Sequence, residues 1–398
     1  MHLNKAIYNY FLILFSLIPI TIIVGSAVSL VNILLIDLSF IILIIYKKNF
    51  NFLKNKTIIY FLILYIYLIF NSFISIDYSV SALRNFGFLR IIILFVAFNY
   101  FFQDETFFKK VFKFWLTVIL IVLIDVLIEV FTGKNILGFG ELYGQRVVSF
   151  FKDEPIVGGY LNGFYLIILG YLLNESKDNK NYLTILLSII FIISIILTGE
   201  RSNTIKAILG ISIFFLLYKD LDIKKKLSIY FSMIVLILIL VFNFSYLNYR
   251  YFDQTSYKKL NLYFHLYKSG FEVFKNNKFF GVGNKNYRIA TCNEIKKNNK
   301  YICTTHPHQI YFEFLSEHGM IGTLIILSIF YKLIFSKILS TIRDNNYIKI
   351  GSLIYLIFIF TPIIPSGAFF SDYVLILFAI NLGIFYASDK QLNIFKKN

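Results

Sequence analysis

Two short stretches of this sequence gather side chains that can do chemistry. The first is Thr304-Thr305-His306-Pro307-His308-Gln309, which leads into an apolar run. Proline disfavours helix in the residue before it, so His306 and His308 are expected where a loop meets a helix. An imidazole there can take a proton from a hydroxyl near neutral pH. His-x-His also permits a metal site with Cys303 and Glu313, or two structural interfacial histidines. No convincing third and fourth ligands stand out, so the expectation is no metal and no cofactor. The second stretch is Thr198-Gly199-Glu200-Arg201-Ser202-Asn203, with Lys206 about a turn further on. Arg201 opens an apolar run, where a helix N-terminus would add positive potential for an anion.

Arginine is scarce. Of 39 basic residues only seven are Arg, and the other 32 are Lys. Where Arg does occur, its planar fork suits two-point contact with phosphate or carboxylate; chance and interfacial snorkelling are the alternative. Arg84 and Arg90 lie on one apolar run. Asp125 and Glu129, at i and i+4 on another, are expected to meet them as structural ion pairs. Arg146 and Lys152-Asp153-Glu154-Pro155, followed by Gly158-Gly159, could line a sugar pocket or form a solvated turn. Asp37 sits in mid-run without an assigned role. Asp220-Leu221-Asp222 lies in a Lys-rich loop and reads as a solvated face. Cys292 and Cys303 are a candidate disulfide in an oxidising compartment, two free thiols being the alternative.

These groups must be held by helices in a membrane. The chain has 398 residues, 58% hydrophobic and 15% charged, with a mean hydropathy of +0.71. A soluble fold of this length cannot cover that much apolar surface, and long uninterrupted runs exclude a disulfide scaffold or a disordered chain. The class is an all-α polytopic membrane protein. About twelve transmembrane spans are expected, at 8–24, 27–46, 58–75, 84–102, 111–131, 156–173, 182–198, 203–218, 227–245, 318–336, 348–364 and 370–387. Two short connections leave ten or eleven as the alternative count. The first run exceeds a signal core, and a second follows at Gly25-Ser26, so an uncleaved first helix is expected.

Lysines mark alternate connections: Lys47, Lys48, Lys54 and Lys56; Lys109, Lys110 and Lys113; Lys177 and Lys180; Lys219 and Lys224 to Lys226; Lys332, Lys337 and Lys349. With Lys5, Lys390, Lys396 and Lys397 they predict both termini in the cytoplasm. The net charge of +17 is therefore read as topology rather than nucleic-acid binding. The organisation divides into spans 1–9 at 1–245, a large external loop at 246–317 carrying the His motif, and spans 10–12 with a cytoplasmic tail at 318–398. All Arg but Arg343, and all His but His2, then fall on or near the external face. Tyr263, His265, Tyr267 and Phe271 are spaced for an amphipathic helix, either on the outer leaflet or against the bundle.

His308-Gln309, nine residues, then Gly319-x-x-Gly322 resembles the signature of the O-antigen ligase family. Phe280-Gly281-Val282-Gly283 followed by Asn286-Tyr287-Arg288 resembles the Gly-x-Gly element that precedes it. The turn at Arg201 is similar to the family's short turn bearing an essential Arg. The resemblance covers 182–339 in order and spacing. It implies a glycosyltransferase of the bacterial inner (plasma) membrane. Such an enzyme moves a glycan from a polyprenyl-diphosphate carrier to a hydroxyl at the periplasmic face. It further implies Arg201 on the donor diphosphate, His308 serving the acceptor hydroxyl, and Arg288 as a second family Arg. His306, Gln309, Arg84, Arg90 and Lys206 are candidate substrate contacts, and Gly281, Gly283, Gly319 and Gly322 a structural motif. The favoured acceptor is lipid A core; a growing glycan (polymerase) or a protein hydroxyl (O-oligosaccharyltransferase) are the alternatives. A lipid-linked glycan flippase is the rival outside enzymes, disfavoured because the polar groups crowd one face.

Overall fold

The computed structural model describes residues 4–140, 146–152, 154–175, 181–252, 257–294 and 300–395. Asp153, Lys177, Lys180, Lys396 and Lys397 lie outside them. The described residues form helices and no strand. In chain order they are α1 (Lys5–Val24), α2 (Ser26–Lys47), α3 (Lys56–Phe73), α4 (Tyr78–Gly87), α5 (Leu89–Phe101) and α6 (Glu105–Thr132). Then come α7 (Val157–Glu175), α8 (Asn181–Leu197), α9 (Arg201–Leu217), α10 (Ile223–Asn243), α11 (Ser245–Tyr251) and α12 (Tyr257–Asn276). The last are α13 (Tyr287–Glu294), α14 (Ile310–Leu333), α15 (Ile338–Arg343), α16 (Tyr347–Ile359) and α17 (Asp372–Ala387).

Eight helices, counting α4–α5 and α14–α15 as one each, are long and apolar enough to cross a membrane. Three shorter apolar helices, Leu183–Leu197, α16 and α17, join them, and α9 stands at the remaining expected position. Each of the twelve stretches picked out by hydropathy falls on helix.

A membrane interior supplies no water to backbone groups, so every interruption of a helix needs an internal partner. Pro19 lacks an N–H and cannot bond the Phe15 carbonyl four residues back. The indole of Trp115, fully buried on α6, donates to that carbonyl at 2.9 Å. Asp125 and Glu129 do not meet Arg84 or Arg90. They turn instead to the segment after α6. Asp125 accepts from the Ile136 N–H at 2.9 Å and the Ser149 hydroxyl at 2.6 Å, and Glu129 from the N–H groups of Val148 and Ser149. Unpaired amides in that loop outcompete distant guanidinium groups. Asp222 caps α10 by accepting from the Lys225 N–H, and Asp37 is buried without a hydrogen-bond partner.

The expected span at 318 begins earlier, at Ile310, and breaks at Gly319, whose φ of 63° and ψ of −169° suit glycine alone. The break frees two carbonyls and two N–H groups, and the loop before α13 takes up all four. Val282 and Gly283 donate to the carbonyls of Ser316 and Glu317, both at 2.9 Å. Met320 and Ile321 donate to the carbonyls of Lys278 and Phe279, at 2.8 and 3.1 Å. A Cβ on Gly281 would overlap the Glu317–His318 backbone, and one on Gly319 the Phe279 carbonyl. Two glycine elements far apart in sequence are thus the halves of one backbone clamp.

Asparagines lock this clamp to α3 and α4. Asn71 donates to the carbonyls of Phe280 and Glu317 and accepts from the Asn284 N–H. Asn284 donates to Asn85, and Asn286 donates to Ser81 and accepts from the Asp77 N–H. All four asparagines are fully buried. Cys292 and Cys303 are disulfide-bonded, tying α13 to the strand of chain that enters the His motif. The amphipathic helix α12 packs on the bundle. Tyr267 stacks on Phe312 at 5.5 Å, Phe271 meets the same ring edge-on, and Gly270 leaves room for Pro307, while Phe264 stays exposed.

Candidate functional site

The His motif sits at the N-terminus of α14. Gln309 is the cap: its side-chain oxygen accepts from the N–H groups of Tyr311 and Phe312 at 2.8 and 3.0 Å. His308, between Pro307 and this cap, takes a left-handed φ of 56°. A non-glycine residue held there costs about 1–3 kcal/mol, which the surrounding contacts must offset. Its carbonyl accepts from the Ser366 N–H at 2.9 Å. Ser366 belongs to the connection between α16 and α17, and its carbonyl also meets His306 Nε2 at 3.2 Å.

The two imidazoles lie 4.1 Å apart, centroid to centroid, yet their states differ. A carbonyl can only accept, so His306 carries its proton on Nε2, and Nδ1 is left to accept from the Thr305 hydroxyl at 2.9 Å. Burial, aided by the neighbouring His308, pushes His306 down to about 3, so its ring stays neutral. Burial also lowers His308 from the ordinary histidine value of 6.5. No hydrogen bond occupies either His308 ring nitrogen among the described residues. Among the described residues its ring nitrogens are therefore open to a ligand. The alternative metal ligands are committed elsewhere: Cys303 to its disulfide, and Glu313 to the Phe369 N–H at 2.9 Å.

The second motif faces this one. Gly199, with a φ of 69°, turns the chain from α8 into α9, so that Arg201 is the first residue of α9. Arg250 on α11, 5% exposed, fixes the turn by donating Nε and Nη2 to the Gly199 carbonyl at 3.1 and 3.0 Å. Burial, with Arg146 and Arg201 nearby, lowers Arg250 to about 10, so it remains cationic. Glu200 accepts from the Gly158 N–H and from Asn203, each at 2.6 Å. Burial pushes its carboxyl up to about 7 against these donors and Arg146. Arg201 and Lys206 make neither ion pair nor hydrogen bond through their side chains among the described residues. A cavity of about 530 Å³ is lined by Arg146, Arg201, Lys206 and Arg250, by Glu200, and by His306 and His308. Four cations thus surround one carboxylate whose oxygens are already engaged.

Residues 186–327 match the family model described as O-antigen ligase. That stretch is similar to the O-antigen ligase family. No curated protein matches it. The match and the apolar helices together point to a multi-pass membrane protein similar over that stretch to O-antigen ligases.

Within the matched stretch fall both halves of the backbone clamp, the Arg201 turn and the His motif. Gly283 and Gly322 complete the clamp, since side chains there would overlap Ser75 and Tyr67. The remaining candidates are placed differently. Gln309 is a helix cap. Arg288 is exposed on α13 and does not line the cavity. Arg84 and Arg90, outside that stretch, both bind Asp372 at the start of α17, Arg84 at 2.5 Å.

Several residues escaped the sequence reading. Arg250 was visible as a scarce Arg, but nothing local tied it to Gly199. Ser366, which holds both histidines, follows Pro365 in a loop without a distinctive motif. Glu313 and Glu317, both about 1% exposed, carry a signal that could have been used: two carboxylates at i and i+4 on an apolar helix. Glu313 holds the Phe369 N–H of the α16–α17 connection, and Glu317 accepts weakly from the Tyr287 N–H at 3.4 Å. They tie the loops on either side of the His motif to α14.

Proposed function

We propose that the chain transfers a glycan from a polyprenyl-diphosphate carrier to a hydroxyl acceptor, with His308 as base and Arg201 on the diphosphate. The observation that carries this reading is the cavity itself, where cations in excess face a neutral imidazole with no protein partner. The acceptor oxygen attacks the anomeric carbon and passes its proton to His308. The bond from that carbon to the diphosphate oxygen breaks, and the electron pair leaves with the diphosphate. Arg201 and its cationic neighbours stabilise that charge in place before the reaction, which is how such groups contribute most. Guanidinium groups can do this without a metal, so EDTA is expected to leave the rate unchanged.

The reading places the cavity at the periplasmic face of the inner membrane with both termini in the cytoplasm. It makes the enzyme a ligase that delivers to lipid A core. Purified protein in nanodiscs, given lipid-linked glycan and acceptor, should transfer, and His308→Ala should lose roughly 10²–10⁴-fold in kcat. Wild-type transfer by His308→Ala would remove that residue from the mechanism. Loss of long chains with accumulating lipid-linked polymer on gene deletion supports the ligase; single capped repeats would mean a polymerase.

A further inference from the structure

A second pocket shares a wall with the cationic cavity, Ile156 lining both. Its volume is about 240 Å³, and its walls come from the α1–α2 turn, from Phe151, Lys152, Glu154 and Ile156, and from the start of α17. All of these lie outside the stretch that matches the family, 186–327. Its electrostatics differ from its neighbour's. Lys152 faces Glu154 and Asp372, and Arg84 and Arg90 stand behind Asp372.

Both guanidinium groups bind the same oxygen, Oδ1, of Asp372. Oδ2 accepts no hydrogen bond from the described residues, while its carboxylate is held in one orientation by two Arg. Ser29, 3% exposed, is also a wall. Phe151 and Tyr373 add aromatic surface, with the Tyr373 hydroxyl already donated to the Ile156 carbonyl at 3.0 Å. The pocket thus offers a fixed carboxylate oxygen, mixed charge and aromatic walls. A neutral molecule rich in hydroxyls satisfies all three; a diphosphate, drawn to the cationic cavity, does not.

We propose that this pocket binds one neutral sugar residue of a glycan that extends past Ile156 into the transfer cavity. Asp372 accepts from sugar hydroxyls, Ser29 forms part of the wall, and Arg84 and Arg90 act as positioning residues through Asp372. Recognition through buried polar groups is discriminating, because a sugar lacking the matching hydroxyl leaves them unpaired. The glycan concerned belongs to the donor or the acceptor of the reaction proposed above, on which this inference rests.

The test uses the full chain in nanodiscs and the methyl glycosides of glucose, galactose, rhamnose and N-acetylglucosamine at millimolar concentration, read by saturation-transfer NMR. Wild type and His308→Ala should both saturate at least one glycoside. Ser29→Leu, which fills the pocket, should abolish the signal. Asp372→Asn should weaken it about 10- to 100-fold, the loss expected for one charged hydrogen bond. Glu154→Gln, on an exposed loop, gives a second reading should Ser29→Leu fail to fold, and a reduced signal is expected there too. No signal above empty nanodiscs for any glycoside, or equal signals in wild type and the pocket variants, would overturn the proposal. Because binding is read without turnover, loss of the transferase reading leaves this result standing by itself. In transfer assays a raised KM for donor alone, or for acceptor alone, names the glycan that occupies the pocket; unchanged KM for both would overturn it.

Discussion

Replacing Gly319 by alanine tests the backbone clamp directly. A side chain at φ 63°, ψ −169° is strained by about 1–3 kcal/mol, and here its Cβ would also overlap the Phe279 carbonyl. Relief requires the loop at 278–283 to withdraw, which breaks the four backbone bonds it makes with residues 316–321. At about 0.5–1.5 kcal/mol net each, those bonds contribute about 2–6 kcal/mol. Strain in the closed state alone therefore makes local opening easier by about 1–3 kcal/mol, on the order of 10-fold or more in the opening equilibrium, while the four bonds set the cost of opening itself. Hydrogen exchange of peptides covering 278–284 and 316–322, measured in nanodiscs, reads this as faster exchange confined to those two segments. Met320→Ala is the control, since that side chain is 47% exposed and its amide bond to Lys278 survives. Unchanged exchange in Gly319→Ala, or equal acceleration in Met320→Ala, would refute the account of the glycine motif.

Transfer should fall on the acid side as His308 takes up a proton. Because burial lowers that group, activity is held down to below pH 6.5 before it is lost, and an acid limb centred above 6.5 would contradict the assignment. Arg201→Lys keeps the charge but not the fork, so donor kcat/KM should drop about 10- to 100-fold, the worth of one charged hydrogen bond; full activity would end the case for two-point phosphate contact. Arg250→Ala removes both bonds to Gly199 and should raise donor KM by a similar factor while acceptor KM stays put. Maleimide-polyethylene glycol should label neither cysteine until a reductant opens the Cys292–Cys303 bond, and labelling of unreduced protein would disprove the pairing.

Hydropathy located most of the helices around the site, because lipid forces an apolar stretch to satisfy its own backbone, but not α11 or the first turns of α14. The His and Arg motifs were legible for a related reason: charged and proline-flanked groups beside apolar runs are costly and need a purpose. What stayed hidden were partners set by three-dimensional proximity. Asp372 lies 288 residues beyond Arg84, and the carboxylates of α6 lie closer in sequence but found loop amides first. Ser366 meets His306 across 60 residues, and Arg250 meets Gly199 across 51. The break in α14 could not be read either, since a lone glycine in an apolar helix is tolerated, and only the return of residues 278–283 gives the broken bonds somewhere to go.

The spacing within the His motif has a physical reading that the glycine clamp supplies. Nine helical residues separate the cap at Gln309 from the break at Gly319, about 13–14 Å of rise at roughly 1.5 Å per residue. Both ends of this short rod are anchored by long-range contacts: Ser366 at His308, the returning loop at Gly319. Glu313 and Glu317, one turn apart between the anchors, hold amides from the two flanking connections. Adding or removing one residue would rotate the far end by about 100° and carry Gly319 away from Phe279. The His-to-Gly distance is therefore a structural length that sets where His308 stands relative to the Arg201 turn. The glycines need not touch substrate for the motif to be tied to the reaction.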